Sequence, residues 1–190
     1  VVGYGAVAFI KPQNPQGADS PQFSLSELEK QVLLSIARKS VETVVKERRL
    51  FEASAAGFDT LAQERGAFVT LRKRGQLRGC IGYVAPMKPL FETVRDVAAM
   101  AAVKDERFSP VTAKELAELD YEVSVLSPLR RVLDVKEVRV GQHGLVMKQG
   151  ADEGLLLPQV PTEQGWDRMT FLQQTSRKAG LPPSAWQDPN

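Results

Sequence analysis

Leu28, Val32, Leu33, Ile36, Ala37, Val41, Val44 and Val45 recur at helical spacing, while Lys39, Glu42, Lys46 and Arg49 fall on other faces. The pattern predicts a long amphipathic helix laid on a core. Ser24, with Glu27 three residues on, reads as its capping box. A second apolar stripe, Leu90, Val94, Val97, Ala98, Ala101 and Ala102, predicts another helix whose small alanines allow close approach to a sheet. Thr112 and Glu115 form a capping box for a short helix, and WDRMTFLQQTSRKAG predicts a final helix stopped at Gly180 and anchored at its ends by Trp166 and Trp186.

Between these stripes the period changes to two. Residues 68–73 and 76–84 read as a β-hairpin joined at Arg74-Gly75. DYEVSVLSP follows as a strand in which Tyr121, Val123 and Val125 share the core face and Glu122 lies on the other. EVRVGQHGLVMKQGADEGLLLPQV predicts three short antiparallel strands with turns at 141–144 and 150–154. The fold class expected is α+β, a mostly antiparallel sheet flanked by helices. The opening VVGYGAVAFI has strand character, and KPQNPQGADSPQ behind it has linker composition. Two readings stand for that first strand: the end of an upstream domain, or an edge strand of this one.

Charge and composition narrow the function classes. The formal charge is +2, from 25 basic and 23 acidic residues, which gives no field for nucleic acid or an anionic membrane. A small-molecule or neutral partner fits better. With one cysteine there is no internal disulfide, and no leader or bilayer-length apolar run is visible, so a cytoplasmic protein is expected. The chain starts at Val1, consistent with processing or with a piece of something longer.

The candidate chemistry gathers at LRGCIG, residues 77–82. Glycine inside a strand marks a bulge or a close backbone approach, and Gly79 and Gly82 bracket the only cysteine, Cys80. Cys80 reads either as a nucleophile with exposed N–H groups and Arg78 beside it, or as a small buried apolar residue. No histidine lies nearby to act as its base. Arg107 reads as a solvated helix terminus or an inward clamp for an anion. Glu122 is the available general base if its face lines a cleft. His143, the only histidine, sits in a glycine-flanked turn without partners at ligand spacing, so no metal site is expected. Gln159 in LLLPQV is costly to bury unpaired, which makes it a pocket candidate. No phosphate loop, serine elbow or dinucleotide fingerprint occurs, and no cofactor is implied.

Several blocks in one order resemble the AMMECR domain family: LRGCIG, DERFSPV (105–111), EVSVLSPL (122–129), GQHGLV (141–146), LLLPQV (155–160) and KAGLPPSAW (178–186). They span nearly all of the chain after Ser24, and LRGCIG is the most specific. The resemblance implies an α+β main domain with a smaller subdomain over 24–190, and a biochemical activity that is not firmly established. VVGYGAVAF resembles the closing strand of a Memo-like protein, a family similar to extradiol dioxygenases, so residues 1–23 are expected to be the end of an upstream Memo-like domain plus linker. The family's grouping with Memo-like and radical SAM proteins, the AmmeMemoRadiSam system, implies a Memo-like domain and a radical SAM enzyme as partners. The family signature falls on Arg78, Gly79, Cys80 and Gly82, with Arg107, Glu122, His143 and Gln159 in other matched blocks. Many bacterial members carry a cysteine about where this chain has Ser176, which argues against a two-cysteine mechanism here. Two functions follow: an enzyme using a cleft around LRGCIG on a small anionic or aromatic substrate, or a non-catalytic scaffold for those partners.

Overall fold

The computed structural model describes residues 2–10, 23–127 and 129–187; the expected linker, residues 11–22, lies outside the described residues. The described chain divides into two compact units, residues 2–3 with 24–126, and residues 4–10 and 23 with 127 and 129–187.

In the first unit α1 (Glu27–Glu47) begins two residues later than expected. SLSELE contains two overlapping S-x-x-E registers, and the second is used: Ser26 Oγ accepts from the Glu29 amide at 3.3 Å while the Ser26 amide donates to Glu29 Oε2 at 2.8 Å. Glu27 pairs instead with Lys30 at 2.6 Å, and Leu28, expected in the apolar stripe, is 58% exposed on the first turn, ahead of the core. A four-residue turn of helix, α2 (Asp59–Ala62), precedes the sheet.

The hairpin forms as expected from β2 (Ala67–Lys73) and β3 (Gln76–Tyr83). Arg74 and Gly75 are both left-handed, φ 52° and 78°, the geometry of the two-residue turn whose twist matches paired strands. Leu71 pairs with Gly79 but Arg72 pairs with Leu77, so Arg78 is the extra residue of a β-bulge. Strand β4 (Leu119–Leu126) lies antiparallel on the other side of β2.

Helix α3 (Leu90–Val103) packs on β2 and β3, and α1 packs on α3 and β4. Beneath them Val69, Leu71, Val123 and Val125 are fully buried. The Thr112–Glu115 capping box is present but starts a 3-10 turn, Ala113–Glu118, rather than an α-helix. The outer face of β4 is not open along its length: Ser124 and Leu126 are buried as deeply as Val123 and Val125, and only Glu122 is half-buried.

In the second unit β6 (His143–Gln149) and β7 (Asp152–Leu156) pair antiparallel, and β1 (Val2–Ile10) runs parallel to both β6 and β5 (Arg130–Arg131). The expected three-stranded meander therefore forms only two of its strands. EVRV does not extend because Asp134 and Glu137 close a capping box over a 3-10 turn, Val135–Glu137, which drives Val138 fully into the core. A short α4 (Gln159–Glu163) follows, and the final helix α5 (Arg168–Lys178), capped by Asp167, packs on β6 and β7. Val132, Val138, Leu145, Phe171 and Leu172 form the core, with Trp166 and Trp186 packed against it.

Candidate functional site

The pairing of three strands fixes the local geometry. Thr70 on β2 lies directly opposite Cys80 on β3 and Glu122 on β4, so the three side chains form one row on the sheet face turned away from α1 and α3. Thr70 Oγ1 donates to Cys80 Sγ at 3.3 Å. Next along the same face lie Gly82, Phe68 and Ser124. Ser124 is 1% exposed and its Oγ has no hydrogen-bond partner among the described residues. Cys80 is a free thiol of intermediate exposure.

The two glycines of LRGCIG serve different faces. A Cβ at Gly79 would sit 2.2 Å from the Ala101 carbonyl oxygen, so its absence lets the backbone of α3 lie on the strand. A Cβ at Gly82 would sit 2.3 Å from the Phe68 ring, so on the outer face that ring occupies the position.

The edge of β3 at Cys80 is closed by the segment after α3. The Cys80 amide donates to Asp105 Oδ2 at 2.8 Å, and Arg107 Nη2 donates to the Cys80 carbonyl at 3.2 Å. Asp105 and Arg107 are joined by a two-pronged pair, Nε to Oδ1 at 2.9 Å and Nη2 to Oδ2 at 2.7 Å. The Arg107 guanidinium is the first cause that holds the Asp105 carboxyl well below the usual range, opposed by burial and helped by the Cys80 and Arg107 amides. The Cys80 amide, expected as a donor to a developing oxyanion, is thus committed to Asp105. Arg107 keeps a side chain 57% exposed beside the Cys80 carbonyl.

Arg78 is engaged more completely. Its guanidinium forks onto Glu115, Nε to Oε1 at 3.0 Å and Nη2 to Oε2 at 3.2 Å, and Lys73 reaches the same carboxylate at 3.3 Å. Arg78 first, then the Thr112 amide, hold Glu115 well below the usual carboxylate range.

His143 and Gln159 belong to the second unit. His143 is not in a turn but opens β6, and its Nδ1 accepts from the Arg139 amide at 3.2 Å. Burial, followed by the nearby Arg130 and Arg139, lowers its pKa. A Cβ on Gly144 would lie 3.5 Å from Pro158 Cδ, which sets His143 close in the fold to Pro158–Gln159. Gln159 Oε1 is buried without a hydrogen-bond partner among the described residues. Ser176 is fully buried in α5, and its Oγ donates to the Leu172 carbonyl at 3.1 Å.

Strand pairing gathers Arg78, Gly79, Cys80, Gly82 and Glu122, and the segment after α3 brings Arg107 to them, all in one unit, while His143 and Gln159 lie in the other. Sequence reasoning missed Thr70, Asp105, Glu115 and Ser124 as members. Glu115 was visible as a cap and Asp105 as the first residue of DERFSPV; Thr70 carries no signal until β2 is known to pair with both neighbours. Among the described residues no group of three His, Cys, Asp or Glu could hold a metal, and no helix is long and apolar enough to cross a membrane.

Comparison with known proteins agrees with the blocks quoted from the sequence. A protein of Methanothermobacter thermautotrophicus is 45% identical over 172 residues, covering 87% of this chain and 89% of that one. A protein of Thermococcus kodakarensis is 45% identical over 168 residues, covering 83% and 82%. The crystal structure of an uncharacterized protein from Pyrococcus horikoshii superposes with a TM-score of 0.76 at 40% identity, over 82% of each chain. The α+β fold is shared with that structure, and the AMMECR1 family model matches residues 34–190, so the chain belongs to the AMMECR1 family.

Proposed function

We propose that the chain is a cytoplasmic enzyme working on the outer face of β3, β2 and β4, on a small anionic or aromatic substrate. The observation that supports this reading is the row Cys80, Thr70, Glu122 with the Thr70 hydroxyl donating to the cysteine sulfur. Cys80 is the nucleophile or the thiol that contacts substrate. Thr70 orients its sulfur through the O–H···S bond, and Glu122, half-buried in the same row, accepts a proton. Both arginines are paired to a carboxylate, and Arg107 is the one placed to meet an anionic group because its side chain is 57% exposed beside Cys80, against 13% for Arg78 on Glu115.

A scaffold role with a Memo-like domain and a radical SAM partner draws on a different observation. Gly79, Gly82, Asp105 and Arg107 each serve the shape of β3, which is what LRGCIG would supply if its purpose were a rigid surface.

Iodoacetamide alkylation of folded Cys80 separates the two. The enzyme reading expects Cys80 to react in the folded protein, Thr70→Val to slow the reaction at neutral pH several-fold, and Thr70→Ser to restore it. Reaction only after unfolding in urea would sink the enzyme reading and leave the scaffold.

A further inference from the structure

The face of β3 opposite Cys80 borders a cavity that the row above does not use. Its volume is about 340 Å³, within the range of small-molecule sites, which begins at about 300 Å³. Val44, Leu50, Ala99, Met100 and Val103 line it, with Tyr83, whose hydroxyl meets Met100 Sδ at 3.3 Å.

The charged lining comes from the ends of two helices. Arg48 caps α1 and Lys104 caps α3; Arg49 and Asp96 complete the set. Arg49 is bonded to Glu47, and Asp96 is neutralised by Lys88 and Arg95, each at 2.7 Å. Arg48 and Lys104 remain as cations with no ionic partner among the described residues. Arg48 also stands at φ 56°, the left-handed position where glycine normally ends a helix and where a side chain is strained. A strained non-glycine residue at the lining of a cavity is the kind of outlier that points to function. The free carbonyls of the two helix ends carry partial negative charge, which two unpaired cations outweigh.

We infer that this cavity binds a small amphiphile with an aliphatic or aromatic body and one carboxylate, the body against Val44, Met100 and Val103 and the carboxylate on Arg48 and Lys104. The charge sets the class: an uncharged molecule of the same shape leaves both cations unpaired, and an amine is repelled by them.

The experiment uses the full chain with [methyl-13C]-methionine and titrates octanoate, octanol and octylamine. The chain has four methionines, so the Met100 methyl reports the cavity while Met147 and Met169, in the second unit, serve as internal controls. Octanoate is expected to shift the Met100 methyl saturably, at least about tenfold tighter than octylamine, a difference of about 1.4 kcal/mol. Arg48→Gly with Lys104→Gln is expected to lower octanoate affinity about tenfold. Folding should survive, because glycine is the favoured residue at a left-handed cap; a urea transition checks this. Saturation by octylamine as tight as by octanoate, octanoate affinity unchanged in the double variant, or no saturable shift at Met100 would each overturn the assignment.

Discussion

Both units seat a helix on a strand through a missing side chain, and they differ in what else holds that strand. In the first, Gly79 admits the Ala101 carbonyl of α3; in the second, a Cβ at Gly154 would lie 2.3 Å from the Ala179 nitrogen and 2.6 Å from the Lys178 carbonyl carbon, at the end of α5. The second unit relies on aliphatic and aromatic packing around Phe171 and Leu172. The first adds a frame of charge around β3, with Asp105 and Arg107 at its edge and Glu115 beneath Arg78. The LRGCIG strand is thus positioned by side-chain ion pairs drawn from two separate connecting segments, and its geometry inherits their sensitivity to pH.

The largest break of this comparison is at the shared feature. Gly79→Ala and Gly154→Ala each force backbone apart in a packed layer, at a cost of about 3 kcal/mol. Both tryptophans lie in the second unit, so fluorescence reads Gly154→Ala directly, while Gly79→Ala is read by the helical circular dichroism of α1 and α3 during urea unfolding. Two variants that lower both signals equally would show that the units melt as one block.

A smaller effect isolates the charged frame. Asp105→Ala strands the Cys80 amide and the Arg107 guanidinium and should cost about 2 kcal/mol in the circular dichroism transition. Asp105→Asn, which keeps an acceptor for the amide, should cost less; equal losses would show that the amide bond is irrelevant.

The smallest effect is acid dependence. Asp105 and Glu115 have folded pKa values depressed below their unfolded ones, so their contribution is present above about pH 4 and is lost as pH falls further. His143 also has a lowered folded pKa and stays neutral in the fold; the unfolded chain takes up its proton first, and stability fades as pH falls below about 6.5. The fluorescence-detected midpoint should therefore begin to drop at higher pH than the circular dichroism midpoint, a gap that His143→Gln closes.

What was legible in the sequence follows from which interactions are local. Helices α1, α3 and α5 and the Arg74-Gly75 hairpin declare themselves because periodicity and turn chemistry act within a few residues. The start of α1 was misplaced by two residues because SLSELE offers two equivalent caps. The third meander strand was misread because the side chains of Asp134 and Glu137 outcompete a valine-rich strand pattern. At the candidate site, the sequence singled out Cys80, Glu122, Arg78 and Arg107. It did not pair them: the bonds from Asp105 to Cys80 and from Arg78 to Glu115 span 25 and 37 residues, and no local rule relates such positions.

The closure of β3 also limits how anything can approach the motif. An unpaired sheet edge is a template for an incoming extended chain. At Cys80 that template is already filled, since a carboxylate takes the amide hydrogen and a guanidinium takes the carbonyl, as a neighbouring strand would. A peptide partner recognising LRGCIG must therefore read its face and side chains, and removing Asp105 would also open a sticky edge beside the chain's only thiol.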